Sequence, residues 1–117
     1  MAFEFINKLP TPAEIKEQFP LAADLALRKA QRDEEVKKII SGESDKFLVL
    51  IGPCSADNED AVLDYTSRLI DVQEKTKDRL VIVPRVYTNK PRTTGDGYKG
   101  MLHQPDPEKR PSMAEGL

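Results

Sequence analysis

Apolar residues recur along this chain in distinct rhythms. From Leu21 to Ile40 they are sparse, with Leu25, Val36, Ile39 and Ile40 set among charges, which predicts a helix packing along a single stripe. Phe47-Leu48-Val49-Leu50-Ile51 is instead an unbroken apolar run rich in strand formers, the pattern of a strand buried on both faces. Val62, Tyr65, Leu69 and Val72 return to helical spacing, predicting a helix over 58–75. Leu80-Val81-Ile82-Val83 is a second buried run, expected to continue as strand through Val86 and Tyr87. Strand, helix and strand in so short a span make a βαβ unit, whose strands should be parallel.

Punctuation along the chain supports these elements. Thr11-Pro12-Ala13-Glu14 combines an N-cap, a proline at the first helical position and the partner of a capping box, and Pro20 must end that first helix. Ser41-Gly42 stops the second helix, and Gly52-Pro53-Cys54-Ser55 ends the first strand. From Thr88 to Leu117 no periodicity is evident, and proline, glycine and charge dominate. So long a connection is either a functional loop or a segment that lacks its partner.

Composition narrows the class. The chain has 117 residues, 38% hydrophobic and 32% charged, as suits a soluble globular protein, while nine prolines and no tryptophan foretell a thin core. A net charge of -2 gives no sign of a nucleic-acid or membrane partner, and no apolar stretch approaches the roughly 20 residues a membrane helix needs. The sequence MAFEFINKLP lacks the basic and apolar regions of a secretory signal. A single cysteine, Cys54, rules out an internal disulfide framework and fits a cytoplasmic location.

The cations, however, are unevenly spread. Arg85, Lys90, Arg92 and Lys99 follow the second strand, and Cys54 follows the first, so both groups lie at the strand C-terminal edge where parallel α/β folds build their sites. Arginine offers a planar fork to carboxylate or phosphate and lysine a movable point charge. Thr93 and Thr94 add hydroxyl groups, and Gly95, Gly97 and Gly100 allow backbone to approach a ligand closely. The pattern suits a small, multiply charged anion such as a phosphorylated metabolite; a solvated basic loop is the plain alternative. Cys54 reads as a small buried hydrophobe, a nucleophile or one ligand of a divalent metal. His103, the only histidine, reads as an exposed loop imidazole, and no usual Cys/His metal site can be assembled.

Taken together, "LVLIGPCSADNEDAVLDYTSRL" and "RVYTNKPRTTGDGYKG" strongly resemble the N-terminal part of class I 3-deoxy-D-arabino-heptulosonate 7-phosphate synthases, with similarity from "LPTPAEIKEQFP" onward. GPCS alone is modest evidence, but joined at this spacing to RVY-x-x-KPRTT it is specific. The 3-deoxy-octulosonate 8-phosphate synthases share the reaction type and are expected to differ where KPRTT stands. The resemblance implies a (β/α)8 barrel condensing phosphoenolpyruvate with erythrose 4-phosphate at the first step of the shikimate pathway. It implies a divalent metal (Mn, Fe, Co or Zn) with Cys54 as one ligand. By position, Arg85 and Lys90 correspond to residues that hold phosphoenolpyruvate, and Arg92 and Thr93 to contacts with erythrose 4-phosphate. No residue is singled out as catalytic.

The implied fold class is α/β, incomplete in this chain. Residues 1–45 form an N-terminal helical extension, and 46–117 form the first βαβ unit and substrate loop of a truncated barrel. Such a barrel takes roughly 250 residues, and the family's other metal ligands, a His, a Glu and an Asp, find no counterpart here. With its site incomplete, the chain is expected to be inactive by itself; two strands alone should expose sheet edges and apolar faces, so it is expected to be marginal, dependent on the rest of the barrel, or oligomeric, as a homo-oligomer. A non-catalytic phosphate-binding or interaction module of the same family is the second reading, and a thiol enzyme using Cys54 the third.

Overall fold

The computed structural model describes residues 3–117. Helix α1 (Pro12–Gln18) and helix α2 (Ala23–Ile40) precede strand β1 (Phe47–Ile51), helix α3 (Glu59–Thr76), strand β2 (Leu80–Pro84) and a short helix α4 (Met113–Gly116). The two strands form a parallel sheet in which Phe47 faces Leu80 and Ile51 faces Pro84. This is the α/β arrangement expected from the hydrophobic rhythm.

Local chemistry sets the helix ends. Thr11 and Glu14 close a full capping box, the Glu14 amide donating to Thr11 Oγ1 at 3.3 Å and the Thr11 amide to Glu14 Oε2 at 2.7 Å. Gly42, at φ 79°, follows the last turn of α2; its own amide returns to the Ile39 carbonyl, and the Glu43 and Ser44 amides to that of Lys38. Asn58 caps α3 by accepting from the Ala61 amide at 2.9 Å. Lys46, just before β1, holds Glu35 of α2 at 2.9 Å, which ties that helix to the strand entry.

Two expectations need correction. Strand β2 stops at Pro84 and does not run on through Val86 and Tyr87. Its partner turns away at Gly52-Pro53, so the last rung is the Arg85 amide donating to the Ile51 carbonyl at 2.8 Å. The stretch after Thr88 also contains α4, started by Ser112, whose four residues are too few to leave a periodic signal.

The strands are less buried than their unbroken apolar runs alone predict, and they expose apolar faces as expected of two strands without further partners. Phe47 is 74% exposed and Leu50 67%, whereas Ala56 and Val81 are fully buried. With α3 on β2, α2 on β1 and no third strand among the described residues, the rest of the sheet has no cover. The radius of gyration, 17.9 Å, exceeds the about 13 Å of a compact domain this long. The described residues thus lack a closed core.

One free edge is an exception. In a parallel pair, alternate residues aim their backbone groups at opposite neighbours. Arg79 and Arg85 bond to β1, so Leu80 and Ile82 must face away from it. The buried amide of Gln73 meets both: Nε2 donates to the Leu80 carbonyl at 2.9 Å, and Oε1 accepts from the Ile82 amide at 2.7 Å. An α3 side chain therefore satisfies backbone groups that a further strand would otherwise pair.

Candidate functional site

Both strands end where the candidate residues begin. At Gly52 the two strand ends are nearly in contact, since a Cβ built there would lie 1.8 Å from the Arg85 carbonyl oxygen. Glycine is required at that point. Beyond it, the Ala56 amide donates to the Tyr87 carbonyl at 3.1 Å, joining the Gly52–Ser55 turn to the segment leaving β2.

That segment folds back on itself. The Lys90 amide donates to Lys99 and the Leu102 amide to Thr88, at 2.9 and 3.0 Å. Gly100 lies inside this crossing at φ 102°, and a Cβ would fall 2.1 Å from the Thr88 carbonyl oxygen. At the tip, Arg92 to Gly95 form a turn closed by the Gly95 amide on the Arg92 carbonyl at 3.1 Å, with Thr93 exposed on it.

Of the four predicted cations, Arg85 and Lys90 reach the turn after β1, Arg92 stands near enough for its charge to act on Cys54, and Lys99 makes no contact there. Arg85 Nη2 donates to the Pro53 carbonyl at 2.8 Å and to Gly52 at 3.3 Å, while its guanidinium lies 5.3 Å from the centre of the Tyr87 ring. Lys90 Nζ reaches Cys54 Sγ at 3.2 Å. Arg92 Nε donates to the Tyr98 carbonyl at 2.9 Å. The hydrogen bond from Lys90, its charge, and then the charges of Arg85 and Arg92 hold the Cys54 thiol below its ordinary pKa. Cys54 is exposed, so it is not the buried small hydrophobe that its residue type alone would suggest. His103 contacts Asn89 Oδ1 at 3.0 Å; the side chain that reaches Cys54 is a lysine.

The lowered thiol pKa has a direct consequence. Favouring the thiolate adds stability above the unfolded thiol's pKa, and this is lost as pH falls through the lowered value. Lys90→Met removes the largest cause, so the titration should move up toward that of an ordinary thiol. Alkylation of Cys54 by iodoacetamide at neutral pH should then slow several-fold. An unchanged rate-against-pH curve would contradict the Lys90 contact.

The donor set can also be tested against a metal. Among the described residues no three His, Cys, Asp or Glu side chains stand close enough to hold one. One exposed thiolate does not make a divalent site, and the described residues do not fit a complete metal centre. Nor is any helix among them long and apolar enough to cross a membrane. Sequence reasoning missed Asn89, Tyr98 and Gln104, polar residues whose contacts depend on how the loop folds back.

The chain resembles known proteins along nearly its whole length. The sequence profile described as the DAHP synthetase I family matches residues 14–117. The Phe-sensitive phospho-2-dehydro-3-deoxyheptonate aldolase of Escherichia coli (strain K12) is 38% identical over 112 residues, which cover 96% of this chain and 32% of that protein. The corresponding aldolase of Haemophilus influenzae is 39% identical over 102 residues, covering 87% and 28%. A solved phospho-2-dehydro-3-deoxyheptonate aldolase from Francisella tularensis SCHU S4 superposes with a TM-score of 0.87 at 27% identity, over 98% of this chain and 33% of that one. The chain spans about a third of the length of the curated relatives it matches.

Proposed function

The chain belongs to the DAHP synthetase I family, and we propose that it is the N-terminal part of a 3-deoxy-7-phosphoheptulonate synthase, carrying part of the site for two phosphorylated substrates. On this reading a helical extension ends at residue 45, its first two residues lying outside the described ones, and 46–117 are the opening βαβ unit and substrate loop of a (β/α)8 barrel. The observation that carries it is the contact of Arg85 and Lys90 with the Gly52–Ser55 turn, at the C-terminal ends of β1 and β2, with Arg92 on the same loop.

Phosphoenolpyruvate carries a carboxylate and a phosphate, and erythrose 4-phosphate carries a second phosphate. Placing them side by side costs Coulombic repulsion, which clustered cations offset. Arg85 and Lys90 hold phosphoenolpyruvate, while Arg92 and Thr93 hold erythrose 4-phosphate. Fixing both makes attack of the enol carbon on the aldehyde effectively unimolecular. Water then adds to the other enol carbon, and atom balance releases inorganic phosphate. Cys54 offers one thiolate toward the divalent metal that the family implies. Because the remaining donors are not among these residues, no step is assigned to the metal.

The test is consumption of phosphoenolpyruvate with erythrose 4-phosphate and manganese. We expect no turnover from the 117-residue chain, and turnover from a longer family chain sharing these residues that is lost in Cys54→Ala. Robust turnover by the short chain, abolished by Cys54→Ala, would contradict its being an incomplete site. Tight phosphate binding by a stable short chain, with no activity in the longer one, would favour a non-catalytic module.

A further inference from the structure

Arg92 is fixed by a relay that none of the sequence signals singles out. Its Nε donates to the Tyr98 carbonyl at 2.9 Å. The Tyr98 hydroxyl, partly buried, donates to the Gln104 carbonyl at 2.9 Å. Gln104 Nε2 then donates to the carbonyls of Pro107 and Lys109, at 3.0 and 2.7 Å. The Gln104 amide closes the path by bonding to the Gly100 carbonyl at 3.1 Å, beside the loop crossing.

We propose that Tyr98 and Gln104 are positioning residues that aim the Arg92 guanidinium, leaving its two terminal nitrogens as an open fork for a phosphate oxygen pair. A guanidinium has five N–H donors in fixed geometry. Using Nε for anchoring consumes the one donor that cannot take part in a fork made by both terminal nitrogens. The side chain then enters the bound state with its long rotamer series already restricted, which lowers the ordering cost of binding. Gly97, at φ 88°, lets the loop turn beside this side chain, and a Cβ there would only touch Arg92 Nε at 3.7 Å. Burial, and secondly the Asp57 carboxylate, push the Tyr98 phenol above its ordinary pKa, so its hydroxyl remains a donor. The anchoring stands on geometry alone; its purpose rests on Arg92 being a phosphate contact, as proposed above.

The experiment is nitrogen-15 NMR of the 117-residue chain, following the Arg92 Nε–H signal and then titrating inorganic phosphate. In the parent chain this proton should exchange slowly with water. In Tyr98→Phe and Gln104→Ala its exchange should quicken about tenfold, while the Arg85 Nε–H signal stays where it was. Phosphate affinity should fall about three- to tenfold in each variant. In an Arg92→Ala background Tyr98→Phe should have no further effect, which a merely structural role for Tyr98 would not produce. Unchanged Arg92 Nε–H exchange in both variants would overturn the relay. Slow exchange in the parent, quickened in the variants, with no phosphate binding anywhere would uphold the relay and overturn the phosphate role of Arg92.

Discussion

Gly52→Ala is expected to remove about 3 kcal/mol or more of stability, most of what so thinly packed a chain can have. The added methyl would lie 1.8 Å from the Arg85 carbonyl oxygen and 2.8 Å from its carbon, so it meets main chain and cannot be relieved by a side-chain rotation. The strands must part at their C-terminal ends. That breaks the 2.8 Å bond from the Arg85 amide to Ile51 and displaces the carbonyls that hold the Arg85 guanidinium. A control is available in Gly42→Ala. Gly42, unlike Gly52, has positive φ, 79°, but nothing lies within 4 Å of its would-be Cβ, so only the backbone cost of about 1 kcal/mol applies. Urea melts of the two variants should differ by at least about 2 kcal/mol. Equal losses would mean that the strand ends are not in the close contact described.

Replacing Arg85 and Lys90 together by alanine should weaken phosphoenolpyruvate binding at least about tenfold, and by more if both anionic groups lose their partners. Hydrogen bonds to charged groups contribute about 1.5–3 kcal/mol each, discounted here because Arg85 is exposed and Lys90 only half-buried. The two side chains differ in what they hold in the absence of substrate. Arg85 spends one terminal nitrogen on the Pro53 and Gly52 carbonyls and keeps the others. Lys90 rests on the Cys54 sulfur and can swing away from it, because an ammonium donates in any direction. Arg85→Ala alone should therefore loosen the Gly52–Ser55 turn as well as weaken binding, whereas Lys90→Ala should weaken binding and raise the Cys54 pKa.

Much of this arrangement was legible in the sequence because it depends on nearest neighbours. The capping box at Thr11, the stop at Ser41-Gly42 and the apolar runs of β1 and β2 each follow from a few adjacent residues, and each appears where expected. The meeting of Arg85, Lys90 and Cys54 was also foreseeable, since both segments leave the same edge of a parallel pair. Burial was legible only from the number of strands, not from the apolar runs themselves. An apolar run reports what a strand can tolerate on its faces, and Leu50 and Phe47 lie exposed because the described residues supply too few partners. The end of β2 was missed for a related reason: Val86 and Tyr87 favour strands, but a strand ends where its partner departs, and Gly52-Pro53 decides that from far away in sequence. Gln73, Tyr98 and Gln104 were not read as structural because a polar residue reveals its partner only once the chain has folded.

The proposed function stands or falls with the cations around Cys54 forming a phosphoenolpyruvate site. The measurement is a phosphoenolpyruvate titration of the 117-residue chain, followed residue by residue by nitrogen-15 NMR, with the Arg85→Ala/Lys90→Ala double variant alongside. Saturable shifts confined to 52–55 and 85–100, weakened at least about tenfold in the double variant, are the predicted result. Shifts spread along the whole chain, or a titration that the double variant leaves unchanged, would contradict it.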